Sequence, residues 1–250
     1  MACIGAFASV VYASHSWGEY HWARTGNPFV LKVGKNVSVA WGSHLATAAD
    51  NWSASEVLDA TVVPGQTNPK NCRAVNGRVE VCDSKYGNTG WLGIAQVWVS
   101  GSHITQGTVK LNNTYFNTGK YNTPAWRQFV MCQEVGHTFG LDHQDEVFDN
   151  QNLGTCMDYT NDPDGAVKGQ IGNLVPNTHD FEELAAIYGH NDASGILSAG
   201  TDAASGAEIG LDNPAEWGKE VRKASDGRGS AYHRDIGHGK GVFTFVIWAQ

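Results

Sequence analysis

The chain has 250 residues, and 17 Lys and Arg against 25 Asp and Glu leave a formal net charge of −8. With 41% of residues apolar and nine tryptophans a sizeable core can be buried, which excludes a wholly disordered chain. The acidic balance excludes a nucleic-acid or anionic-membrane partner that works through a basic stripe, and no run approaches the ~18 apolar residues of a membrane span.

In chain order, residues 2–13 are uncharged and mostly small or apolar, the length of a signal-peptide core, with Val11-Tyr12-Ala13 as a cleavage pattern but no basic segment before it. Residues 1–14 are read as a leader remnant, with an N-terminal strand as the alternative. Trp17, Tyr20 and Trp22 form an aromatic cluster expected to pack across the body of the domain. Phe29 to Val33 reads as a strand, and Val39 to about Asn51 as a helix. Val57 to Val63 is rich in β-branched residues and stops at Pro64-Gly65, a strand and turn. Leu92–Val99 and Thr108–Asn112 are further strands. One helix with several strands around it predicts a mixed α+β layer.

Thr123-Pro124 opens the next helix, threonine as N-cap and proline at a position that needs no donor. It runs to His137, and Gly140 can end it in a left-handed turn. The stretch from Asp142 to Asp164 is loop-like, and Asp180 to Tyr188 reads as a helix with acids in its first turn. Residues 191–210 are mostly small and polar and read as a flexible linker. The remaining segment, 211–250, carries three strand-like runs and is either a small β-rich module or an addition packed on the main domain, residues 15–190.

Cysteines stand at 3, 72, 82, 132 and 156. With Cys3 set aside with the leader, the other four permit three pairings. Cys72 and Cys82 bracket a turn-rich loop whose Asn76-Gly77 suggests a hairpin, easily closed by a local disulfide. Cys132 and Cys156 then pair, which suits an exported, extracellular protein.

The informative stretch is Cys132 to His143 (CQEVGHTFGLDH). Gln133 and His137 stand four apart on one helical face with Glu134 beside them, and a turn at Gly140 can bring His143 back to the same point. Two ligands from a helix and one after a glycine turn make a three-pronged metal site, with the adjacent carboxylate placed to deprotonate a water. The stretch resembles the HExxHxxGxxH motif of the metzincin zinc endopeptidases, with glutamine at the first position. Thr155 to Tyr159 resembles that family's Met-turn, with Met157 as its methionine and Tyr159 at the Met-x-Tyr position.

The resemblance implies a zincin fold: a twisted mixed sheet with an active-site helix and a C-terminal helix, here with a small β-rich extension. It implies a secreted endopeptidase holding one catalytic Zn2+ on Gln133, His137 and His143. Peptide bonds are then hydrolysed by metal-activated water, with Glu134 as general base and Tyr159 supporting the oxyanion. The expected partner is a protein or peptide substrate, lying in extended form along the edge strand Leu92–Val99 of a monomer. For the glutamine three readings stay open: Gln133 binds zinc through its amide oxygen, or the metal is held by His137, His143 and another group such as Tyr159, or the site has lost its metal. The last makes the chain a non-catalytic metzincin-like binding or adhesion module.

Other histidines (15, 21, 44, 103, 179, 190, 233 and 238) show no ligand spacing and read as surface or satisfied core residues, with His179 near a helix cap. Asp145, Glu146, Asp149 and Asn152 form an oxygen-rich loop that is a calcium candidate without a recognised spacing.

Overall fold

The computed structural model describes residues 15–117, 119–195 and 212–250, so the expected leader remnant and most of the linker lie outside the described residues. One mixed sheet organises the chain. Its strands are β1 (His21–Trp22), β2 (Phe29–Asn36), β3 (Leu58–Pro64), β4 (Arg78–Ser84), β5 (Trp91–Ser100), β6 (His103–Asn112), β7 (Lys219–Lys223), β8 (Gly229–Gly237) and β9 (Lys240–Trp248). They lie in the order β3-β2-β4-β6-β5-β9-β8-β7, with β1 also on β6. The first half, from β3 to β6, is parallel, and from β6 onward every neighbour is antiparallel.

Four α-helices join these strands: α1 (Val39–Trp52), α2 (Asn113–Phe116), α3 (Pro124–His137) and α4 (Thr178–Ile187). Helix α1 buries Trp41, Leu45, Ala48 and Trp52, the spacing of a single apolar face, and links the parallel strands β2 and β3. Thr123 caps α3, its side-chain oxygen accepting from the Trp126 amide. At α4 the cap is Asn177, which exchanges side-chain and backbone bonds with Asp180, rather than the Thr178–Asp180 stretch.

The cysteine loop departs from the expected hairpin. Cys72 and Cys82 are bonded, but only the Cys82 side is a strand, β4, which lies parallel between β2 and β6. Asn76-Gly77 turns the chain into β4 without a partner strand before it, because pairing with β2 and β6 uses both edges of β4. The 219–248 strands likewise do not stand apart. They continue the main sheet, because β9 pairs with β5 along nine registered positions. Leu92–Val99 is therefore not an edge strand.

The main core lies between the sheet and α1 and α3, and holds Trp22, Trp41, Trp52, Phe129, Phe139 and Phe245. Cys132 on α3 is bonded to Cys156, which ties the helix to the turn at Met157. That turn packs hard against α3. A Cβ on Gly136 would lie 2.6 Å from the Trp52 ring and 2.7 Å from the Met157 sulfur. Gly136→Ala should therefore cost about 1–3 kcal/mol by overpacking. Denaturant unfolding measures it, and an unchanged midpoint would mean that Trp52 and Met157 give way freely.

Candidate metal centre and active site

The end of α3 builds the site. Its last carbonyls accept from the backbone amides of Thr138, Phe139 and Gly140, and three aromatic donors reach the carbonyls at the point where the helix ends. The Trp17 indole donates to the His137 carbonyl at 3.2 Å, the Trp22 indole to that of Thr138 at 2.8 Å, and the Tyr188 hydroxyl to that of Phe139 at 2.8 Å. Gly140 then adopts φ +104°, and a Cβ there would stand 2.8 Å from the Tyr20 carbonyl oxygen, so only glycine fits. The chain doubles back, and His143 meets His137 with Nε2 to Nε2 at 2.9 Å.

Hydrogen bonds orient both rings. His137 Nδ1 donates to the Leu141 carbonyl at 2.8 Å, and His143 Nδ1 donates to the Glu146 carboxylate at 2.6 Å. Burial and the neighbouring His143 hold the pKa of His137 well below its ordinary value, so its ring is neutral and its Nε2 carries a lone pair. With both Nδ1 protons committed, the gap between the two Nε2 atoms has room for one cation, a shared proton or a metal.

The remaining donors are as unpartnered as the nitrogens are close. Gln133 gives its amide N–H to the Cys156 carbonyl at 2.9 Å, which leaves its Oε1 buried without a partner. No side chain bonds either Glu134 oxygen, and the backbone amides that approach the carboxyl stop short of good hydrogen-bond geometry. Burial pushes that carboxyl well above the usual range, against the backbone amides of Ile247 and Ala95 that face it. A Cβ on Gly93 would lie 2.8 Å from Glu134 Oε1, so this glycine of β5 makes room for the carboxylate. Orphaned buried acceptors beside two convergent imidazoles are a donor set suited to zinc.

Met157 packs under Gly136, and the Tyr159 ring lies 4.5 Å from that of His143. The Tyr159 hydroxyl donates to the Val246 carbonyl of β9 at 2.8 Å. Gln133, Glu134, His137, His143, Met157 and Tyr159 are all buried, none more than 2% exposed. Of the candidate calcium residues, Glu146 accepts from His143 Nδ1. Asp145 accepts from Val147 and Asn150, Asp149 from Asn161, and Asn152 donates to the carbonyls of Asp162 and Ile171, so the four are engaged separately.

Some neighbours of these residues are not placed beside them by the sequence, which marks Glu146 only as a calcium candidate. Glu146 follows His143 by three residues, a spacing that could have marked it. Asp142, Arg222 and Phe245 carried no such signal, because Arg222 and Phe245 come from the distant tail. Among the outlying histidines, His21 and His103 each share the carboxylate of Asp192, at 3.3 and 3.1 Å. His15 likewise meets Asp180 at 3.1 Å.

No protein-family model matches the chain, and no curated protein matches it in sequence. Among solved structures it is similar to high choriolytic enzyme 1, a hatching enzyme zinc-protease from Oryzias latipes (medaka fish). That likeness has 13% identity over 68% of this chain and 94% of that one, with a TM-score of 0.37. Myroilysin is similar at 11% identity over 71% of this chain and 83% of its own, with a TM-score of 0.35. At such low TM-scores neither likeness bears on function, which is read from the site alone.

Beside the site, burial pushes the Asp158 carboxyl up to about 6, against hydrogen bonds from Leu153 and Asn173, and its Oδ1 has no partner. The folded chain thus holds this proton more tightly than the unfolded chain. Its contribution is complete below about pH 4 and is lost as pH rises through about 6. In metal-free protein, Asp158→Asn should flatten the fall in unfolding free energy across that window. Equal slopes for the two proteins would contradict the assignment.

Proposed function

We propose that the chain is a secreted, metzincin-like zinc endopeptidase. One observation carries the reading. The Nε2 atoms of His137 and His143 face each other at 2.9 Å with both Nδ1 protons committed elsewhere, beside a buried Gln133 oxygen without a partner and a buried Glu134 carboxyl that no side chain satisfies. Leaving such acceptors buried costs on the order of 1–3 kcal/mol each, which a cation bound between them would offset. The two disulfides suit an oxidising, extracellular compartment.

Gln133 Oε1, His137 Nε2 and His143 Nε2 would hold the ion. When bound, zinc supplies Lewis acidity toward a peptide carbonyl and lowers the pKa of water. Glu134 takes a proton from the attacking water as the new C–O bond forms, and passes it to the amide nitrogen as the C–N bond breaks. Its elevated pKa suits a group that must hold that proton between the two steps. Tyr159 donates its hydroxyl proton to the carbonyl oxygen as negative charge develops there. Glu146 keeps the His143 lone pair aimed at the centre.

Glu134→Ala should abolish hydrolysis of casein or gelatin, by a factor of about 10²–10⁴ or more, while zinc content stays stoichiometric. Unchanged turnover would end the mechanism. Absence of stoichiometric transition metal in protein purified without chelator, together with no chelator-sensitive activity, would favour the binding module instead. The role of Gln133 has its own test, read by zinc titration rather than by activity. Gln133→His should bind zinc more tightly and Gln133→Ala more weakly, since imidazole is a better zinc donor than a neutral amide oxygen. Equal affinities across the three proteins would remove Gln133 from the ligand set.

A further inference from the structure

Every group of the centre is buried, and β9 is one of the elements that cover it. The strand lies antiparallel on β5, with Phe245 opposite Ala95, Val246 opposite Ile94 and Ile247 opposite Gly93. Alternation sends its side chains to two sides of the sheet. Phe243, Phe245 and Ile247 join the main core, whereas Val246 and Trp248 pack with Trp91 and Trp217 in a second, smaller cluster. The Phe245 ring stacks on the His137 imidazole, with centroids 4.4 Å apart and planes 11° from parallel. The Val246 carbonyl takes the Tyr159 hydroxyl, and the next residue, Ile247, stands opposite the glycine that makes room for Glu134.

The Val246–Ile247 peptide link therefore lies between the two groups that would serve a scissile bond. Tyr159 is on its carbonyl oxygen, and Glu134 is on the side of its nitrogen. The tail is also fastened to the rim of the site. Arg222 pairs with Asp142 at 2.7 Å, directly before His143. The Ser225 amide and hydroxyl both donate to the Glu146 carbonyl, at 3.2 and 2.9 Å.

We propose that β9 is a built-in pseudo-substrate. It fills a groove made for an extended, apolar polypeptide paired antiparallel with β5, with an aromatic side chain against His137, so that the folded chain is latent until β9 is displaced. The roles of Tyr159 and Glu134 in this proposal rest on the peptidase reading; the occupancy of the groove does not. Because β9 is also paired with β8, the strands β7, β8 and β9 leave as a unit, and displacement must break the β5–β9 hydrogen bonds and the Arg222 and Ser225 ties together, so the closed form dominates at rest.

The test uses the full chain and a fluorescein-labelled synthetic peptide with the sequence of residues 241–249. Binding is followed by fluorescence anisotropy on a Glu134→Gln background, where no cleavage can intervene. Phe245→Asp places a charge in the apolar contact with His137 and should free the strand, seen as faster hydrogen exchange in β5 and β9. The opened double variant should bind the peptide about tenfold more tightly, or better, than Glu134→Gln alone, because a site closed most of the time loses apparent affinity in proportion. Equal binding by the two proteins, or no binding by a variant whose β9 exchanges fast, would overturn the proposal. Should Phe245→Asp fail to fold, Arg222→Ala with Ser225→Ala removes only the surface ties and should move both readouts in the same direction by less. Phe245→Asp with Glu134 intact separates the two claims. If it binds zinc and the peptide but cleaves nothing, the pseudo-substrate stands and the peptidase reading falls.

Discussion

The turn at the end of α3 is the constraint on which the rest of the structure depends. A helix that stops inside a core must have its end carbonyls satisfied without water, and here the amides of the turn do so together with three aromatic donors from two distant parts of the chain. Trp17 and Trp22 arrive from the segment before β2, and Tyr188 from the end of α4. With those three donors on its carbonyls and its own amides bonded, the turn at Gly140 has little freedom, and His143 returns to His137. The Cys132–Cys156 bond and the contact between Gly136 and Met157 hold the other side of the same helix. The centre is thus placed by backbone satisfaction and packing, before any metal contributes.

The electrostatics follow from that burial. A carboxyl that no side chain bonds, an amide oxygen without a donor and two facing imidazole nitrogens are each unfavourable alone in a low-dielectric interior. Brought together they become complementary to a single small cation. The pKa displacements of Glu134 upward and His137 downward have the same origin, because burial penalises the charged form of each. Glu146 differs: burial pushes it up too, but the hydrogen bond from His143 and the bonds and charge around it outweigh burial and hold it below the usual carboxylate range.

The sheet makes the site and also closes it. Strand β5 carries Gly93, which leaves space for Glu134, and offers its other edge to a partner strand. An unpaired edge beside an apolar cleft would invite any extended chain. In this fold the tail takes that place with alternating aromatic and aliphatic side chains, so edge protection and occupancy of the cleft are one contact.

Much of this was legible in the amino-acid sequence, because it is local. The α3 boundaries follow from Thr123-Pro124 and Gly140, the spacing of Gln133, Glu134 and His137 follows from the helical period, and the strands of the tail follow from their β-branched and aromatic runs. What pairs with what was not legible. A period of two marks a strand but does not name its neighbour, so the parallel place of β4 and the docking of β9 on β5 emerged only in three dimensions. The same holds for Trp17, Trp22 and Tyr188 as caps of α3 and for Phe245 on His137, since each joins residues more than a hundred positions apart, or nearly fifty for Tyr188, through packing that no local pattern records. Sequence determined which groups of this protein can do chemistry; tertiary structure decided that they meet, and that a strand of the same chain lies across them.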